Sequence, residues 1–362
     1  GGDFRGRFDG IYRGGDSSID RNRFRYRLRF GAKAILQENF EAGVRLISTP
    51  PGGNPISGNQ SFDNNGSKKP IAIDLVYAKW NAINQPDYTA TFTFGKMENP
   101  FVFSDMVFDS DYTPEGAAIQ GTYDVGEKHG VSGTVAGFVL EEVGGSSRDS
   151  YLLGAQLRLD SSWTEKISSS FGVAGLAIQS PTALTTAAEN NINDGNFRTA
   201  GGVLVEGFNP IVVDGAVTYK LDSFPGYKGV FPIKLHGDYL NNPRAQELGE
   251  SYSVGLKLGK AGKKGLWEIG YAWKEHQNNT WYEEMVDSDT GVFYAVAPAA
   301  LGAGAGYQSG IGYRGNVISA KYNPYDFMQL SLKLMNMAAI NENPVGSGST
   351  INRILLDVIW KF

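Results

Sequence analysis

The sequence predicts an all-β fold: one transmembrane antiparallel β-barrel of about sixteen strands, with residues 1–362 forming a single domain. Three observations predict it. Gly supplies 47 of 362 residues and aromatics 12%, a composition of turns and strands, while no apolar run approaches the length of a membrane-spanning helix. Apolar and polar residues alternate with period two along nearly the whole chain. The connections between alternating segments switch regularly between short and long.

The clearest segment comes second. Phe24, Tyr26, Leu28 and Phe30 alternate with Arg21, Arg23, Arg25, Arg27 and Arg29, so a strand there carries an oily face and a ladder of cations. Stacked guanidinium groups about 7 Å apart along a strand repel unless water or counter-anions screen them, which a water-filled lumen supplies. The same test places strands near 3–13, 20–36, 40–49, 71–81, 88–97, 116–125, 129–141 and 150–160. The second half continues with 163–178, 211–222, 230–240, 250–260, 265–276, 315–323, 327–338 and 351–362. Outward sets such as Tyr151/Leu153/Ala155/Leu157/Leu159 and Trp267/Ile269/Tyr271/Trp273 face small or polar alternates such as Gln156/Arg158/Asp160 and Glu268/Lys274. Each strand is therefore expected to have one oily face.

Even-numbered connections are short, from Gln37–Asn39 to Pro324–Asp326. The odd ones are mostly long: 50–70, 98–115, 142–149, 179–210, 241–249, 277–314 and 339–350. Short turns on one side and long loops on the other, with both termini on the turn side, is the topology of barrels that cross a membrane. A soluble sandwich, propeller or β-helix would also alternate. Against these stand the lack of a fixed-period repeat, the aromatics gathered at strand ends, and the final Val358-Ile359-Trp360-Lys361-Phe362.

Net charge is -5, which offers no general attraction to nucleic acid. Without Cys there is no disulfide, thiolate nucleophile or Cys-ligated metal. The opening Gly1-Gly2-Asp3, without Met or an apolar leader, is expected of a processed product.

At this point the residues resemble the bacterial outer-membrane porins, the "putative porin" family among them. The last strand sets Ile354, Leu356, Val358, Trp360 and Phe362 on one face, similar to the aromatic-ended signature read by the outer-membrane assembly machinery. The stretch Phe94-Gly95-Lys96-Met97-Glu98-Asn99-Pro100-Phe101, followed by Asp109, Asp111, Tyr112, Pro114, Glu115 and Gly116, is similar to the same family. In pattern the resemblance covers the whole chain. It implies a sixteen-stranded barrel of the bacterial outer membrane, bounded by lipid and lipopolysaccharide. It also implies a homotrimer that passes small polar solutes and ions without catalysis or cofactor. Outward Gly6 and Gly10 would let another subunit approach closely.

The resemblance also implies that the third long loop, 98–115, folds into the lumen. That loop would bring Glu98, Asp105, Asp109, Asp111 and Glu115 against a basic wall of Arg5, Arg7, Arg21, Arg23, Arg25, Arg27, Arg29 and Arg45. Acids on the loop and arginines on the wall would set a transverse field across the narrowest section, although direct pairing that pins the loop is an equal reading of each arginine. Positions assigned to the lumen hold twenty bases and fifteen acids, a surplus of five that predicts weak anion preference.

Catalytic and metal chemistry is not indicated. His129, His236 and His276 are scattered, and no Gly-x-Ser-x-Gly elbow accompanies them. Asp287-Ser288-Asp289-Thr290-Gly291 begins like a calcium loop but lacks the closing Glu, and reads as a turn. Pro181–Asn196 and Ala295–Gly306 are low-complexity loop segments. Two functions remain: a passive channel for small hydrophilic solutes, or a channel selective for anionic small molecules.

Overall fold

The computed structural model describes residues 1–14, 20–50, 52–145, 147–185, 194–199, 201–291, 310–340 and 350–362; the Ala295–Gly306 segment lies outside them. Strands of the first half are β1 (Gly2–Arg13), β2 (Arg21–Ile35), β3 (Phe40–Ser48), β4 (Gln60–Ser61), β5 (Ile71–Asn84), β6 (Tyr88–Lys96), β7 (Glu115–Val125) and β8 (His129–Glu141). They are followed by β9 (Ser150–Ser162), β10 (Ile167–Gln179), β11 (Ile211–Leu221), β12 (Phe231–Asn241), β13 (Glu250–Gly259), β14 (Trp267–His276), β15 (Tyr313–Tyr325), β16 (Met328–Ala339) and β17 (Thr350–Lys361). Apart from the two-residue β4, these are the sixteen segments that alternation predicts.

Every pairing is antiparallel, and β1 bonds to both β2 and β17, which closes the cylinder. Arg7 thus lies opposite Arg25 on one side and Asp357 on the other. Gly2 and Phe362 exchange backbone hydrogen bonds of 2.8 and 3.0 Å at the end where the short turns gather. The strand β4 was not expected from sequence. Above Arg29, β3 turns away from β2, and Gln60 and Ser61 pair with Tyr26 and Arg25, satisfying an edge that would otherwise be open.

The outer surface is apolar, as alternation requires. Phe24, Phe94, Leu157, Phe171, Leu235 and Val254 all stand exposed on it. Aromatics ring the turn end: Phe224 stacks on Phe231 at 4.1 Å, Trp267 donates its indole N–H to the Gly226 carbonyl, and Phe40 stacks on Trp80. Such a girdle fits the lipid–water boundary, where a ring buries its body and wets its polar edge. Of the outward glycines, Gly6 is open, whereas the space above Gly10 is taken by the Tyr12 hydroxyl, itself bonded to Asn22.

The inner face corrects one expectation. In the loop-end half of β7–β12 the inward positions are apolar too, among them Ala118, Ala136, Phe138, Leu152, Ala174, Leu176, Ile178, Val212 and Leu240, all buried. Against them pack Met97, Phe101, Met106, Val107, Phe108, Leu184, Leu204, Phe208, Trp281, Tyr282, Met285 and Val286 in one hydrophobic cluster. The loop end of this sector is thereby filled by the inward loops, while the charged ladder of β1, β2 and β17 lines the other side of the interior.

Candidate functional site: the charged interior

The basic wall is built by β1, β2 and β17, whose inward positions alternate with lipid-facing ones. Arg27 reaches Asp3 at 2.9 Å and Asp111 at 2.5 Å, and Arg29 reaches Asp3 at 2.8 Å. Asp9 accepts from Arg23 at 2.7 Å and from Arg353 at 2.9 Å, with Arg25 at 3.6 Å. Arg7 bridges Asp357 and Asp289, both at 2.7 Å. Arg5 bonds Asn59 at 2.7 Å and lies 3.8 Å from Asp111. Arg45 joins Asp74 and Glu98. Arg21, at the loop end of its strand, is exposed.

The segment between β6 and β7 crosses the interior. Gly95, with φ of +116, starts the departure; a Cβ there would lie 2.4 Å from the Val76 carbonyl oxygen. The Val102 carbonyl accepts from Gln156 and Arg158 on β9, Asp105 pairs with Lys274 on β14 at 2.5 Å, and Asp111 meets Arg27 on β2. Of the expected loop acids, Asp105, Asp109 and Asp111 lie in this crossing. Glu98 sits at its start, largely exposed against Arg45. Glu115 does not belong to it: Glu115 is the first residue of β7, two-thirds exposed and paired with Lys96, because the loop ends one residue earlier and the strand parity turns its side chain outward.

The loop acids do not face the arginines across a gap. Asp111 and Glu98 are bonded to arginines and Asp105 to Lys274, while Asp109 accepts backbone N–H groups, so of the two sequence readings the direct pairing that pins the loop describes Asp105, Asp111 and Glu98. Sequence reading also missed a second inward segment. Residues 277–291 descend beside the first, with Asp287 on Lys333 at 2.8 Å and Asp289 between Arg7 and Arg353. The Asp287-Ser288-Asp289 stretch is indeed a turn, its Asp289 N–H bonded to Asp287 at 2.9 Å, but its carboxylates join the network. Trp281, 0% exposed, donates to the Val107 carbonyl and packs edge-on against Phe108 and Phe208. Arg198 and Glu283 form a buried pair at 2.6 Å that ties residues 194–199 to the same assembly.

Asp109 joins the two inward segments. Its N–H donates to the Met285 carbonyl, and its carboxyl accepts the N–H groups of Asp111 at 2.7 Å and Ser288 at 3.0 Å. Burial raises its pKa, and the carboxylates of Asp287 and Asp111 push it further, well above the ordinary range. Burial acts in the same direction on Asp105 and Asp289. There, however, Lys274 and Lys333 on the first, and Arg7 and Arg353 on the second, outweigh it and hold the carboxyl below that range.

The signs give a prediction for pH. The raised Asp109 contributes to segment docking fully below about pH 4, and that contribution fades as pH climbs through its elevated pKa. Asp105 and Asp289 contribute above that ordinary value and lose their share as pH falls through their depressed ones. Protease cleavage within 277–291 should therefore rise on the alkaline side, and Asp109→Asn should remove the alkaline rise while leaving the acid one. An unchanged alkaline profile in that variant would contradict the assignment.

Residues 14–191 match the family model described as "Putative porin". Among solved structures, OprB of Pseudomonas putida at high pH is similar over 100% of this chain and 93% of its own, with a TM-score of 0.59 at 11% identity. DcaP, an outer membrane channel of Acinetobacter baumannii, is similar over 100% and 96% of the two chains, with a TM-score of 0.46 at 13% identity. A mutant Rh. blastica porin is similar over 99% of both, with a TM-score of 0.45 at 9% identity. No curated protein matches the chain.

Proposed function

We propose that this chain, a porin of the bacterial outer membrane, passes small hydrophilic solutes and ions by passive diffusion through the charged sector of its barrel. The observation that carries the reading is the division of the closed cylinder into a lipid-facing apolar exterior and an interior whose wall carries cations on β1, β2, β14, β16 and β17. Residues 98–114 form the narrow section, with Asp105 and Asp111 as its acids and Arg5, Arg7, Arg25, Arg27 and Arg29 as its basic wall. The pairing of those charges fixes the aperture, and the residual dipoles favour polar solutes over apolar ones. The last strand, with Trp360 tilted against Phe4 at 5.6 Å and Phe362 exposed, supplies the signal for membrane assembly. A homotrimer is the expected assembly.

Liposomes carrying the refolded protein should swell in sugars of graded size at rates that fall with size and ignore stereochemistry. Glu115 leaves the lumen and Asp287 and Asp289 enter it, which trims the surplus of bases without reversing it, so the reversal potential in a KCl gradient should show weak anion preference. Absence of swelling in the smallest sugar, or a clear cation-selective potential, would contradict the corresponding part of the reading.

A further inference from the structure

Below the inward loops, toward the turn end, lies a cavity of about 610 Å³ on the wall of β11–β17. It exists because inward positions here are small: Ala216, Gly255, Gly270, Ala272 and Ser319 leave the lumen clear. The His236 ring lies over Gly255, where a Cβ would come within 2.6 Å of it.

The bases lining this cavity divide sharply. Arg158 is 2.7 Å from Asp214, Lys274 2.5 Å from Asp105, Lys321 3.2 Å from Glu268 and Lys333 2.8 Å from Asp287. Arg7 is paired twice, and Arg5 lies against Asp111. Among the described residues, Lys234 and Lys257 are the two lining lysines or arginines with no carboxylate within 4 Å. They are also direct register partners on neighbouring strands β12 and β13. Like charges directly opposite each other on one sheet face are about 5 Å apart at Cβ and destabilise the pairing. A strand pair that keeps two facing ammonium groups, beside a space large enough for a small molecule, has the form of an anion cradle with its anion left to the solute. Lys234 also lines the 750 Å³ vestibule at the turn end, which contains Asp87, Asp124 and Asp160, so it stands at the passage between the two chambers.

We infer that Lys234 and Lys257, with His236 beside them, form a binding subsite for a small oxyanion, the carboxylate of an organic acid or a phosphate, on the turn-end side of the narrow section. This rests on the channel reading, which it deepens by naming the solute class that pauses there. Two ammonium groups offer up to six donors to one oxyanion, and charge-assisted bonds of this kind are the strong ones.

The test uses the full-length protein in detergent and in planar bilayers, with succinate and inorganic phosphate as probes and glucose as the neutral control. Calorimetry should show binding of at least one probe to the wild type, weakened roughly tenfold in Lys234→Gln or Lys257→Gln and abolished in the double variant. Lys68→Gln, an exposed lysine of the loop before β5, should bind as wild type does. The same probe should reduce single-channel current in a saturable way that the double variant relieves, and comparison of the two probes distinguishes carboxylate from phosphate. Binding equal in the double variant and the wild type, or no binding of either probe to the wild type, would overturn the subsite. Binding lost in the double variant but no current in the wild type would uphold the subsite and overturn the channel.

Discussion

Replacing Trp281 with alanine is expected to release the inner segments from the wall while the barrel itself stays closed. Trp281 is the largest fully buried side chain of the interior. From its place on the segment 277–291 it packs edge-on against Phe108 of the segment between β6 and β7 and against Phe208, which precedes β11. Its indole N–H satisfies the Val107 carbonyl, and its own carbonyl accepts from Asn196. Truncating a buried Trp costs about 3–5 kcal/mol through lost transfer energy and the cavity left behind, and an orphaned buried carbonyl adds about 1–3 kcal/mol. That loss falls on loop docking, because every strand-to-strand hydrogen bond of the wall survives it. The variant should therefore keep the heat-modifiable band of a folded barrel on gels, while protease cuts readily within 277–291 and single-channel conductance becomes larger and noisier. Trp281→Phe, which keeps a ring but loses the donor, should show a weaker form of the same change. Unchanged conductance and protease resistance in the alanine variant would mean that the interior is not held as described.

The parts of this molecule that could be read from sequence are those governed by local periodicity. Residues 21–29 declare their two faces because a strand alternates whatever its neighbours do, and Phe24 and Arg25 are found where that rule puts them. Strand order follows from connection length, since an antiparallel neighbour joined by Gly126–Lys128 has nowhere else to go. What the loops do is decided by contacts between residues far apart in sequence, such as Trp281 with Val107 or Arg7 with Asp289, and no local pattern encodes those. Yet a trace was present. The runs Phe138-Val139-Leu140, Tyr151-Leu152-Leu153, Leu176-Ala177-Ile178 and Ile211-Val212-Val213 break the alternation by making both faces apolar. A continuous apolar run is the mark of a strand buried on both sides. It marks the sector where the loops fill the barrel, while the uninterrupted alternation of β2 marks where they do not. Asp287 and Asp289 were visible as a turn, and their second role depended on Arg353 lying opposite, which only the closed barrel shows.

The heaviest loss to the barrel wall itself, as distinct from loop docking, is expected from Arg353→Met. Arg353 is 2% exposed, bonds Asp9 through two nitrogens at 2.9 Å each, and reaches Asp289 through its carboxylate at 3.2 Å and its carbonyl at 2.8 Å. It thus fastens the β17 wall to β1 and to the inward segment 277–291 at once. Methionine keeps much of the volume and removes the charge, leaving Asp9 to share Arg23 and Arg25 and Asp289 to rely on Arg7. Removing one of the counter-charges of two buried carboxylates costs up to about 3–5 kcal/mol, which should appear as a clear drop in the urea midpoint of the refolded protein in detergent. The second change decides what the arginine does. If it acts as a counter-charge, adding Asp9→Asn to Arg353→Met removes the stranded partner and should recover much of the loss, since deleting both members of a buried pair is often close to neutral. If the arginine is instead wetted by the lumen and only loosely paired, the single variant should lie within about 1 kcal/mol of wild type, as exposed pairs do, and the double should do nothing further. The first result would assign the ladder to holding the aperture in shape, with selectivity left to the bases that remain unpaired.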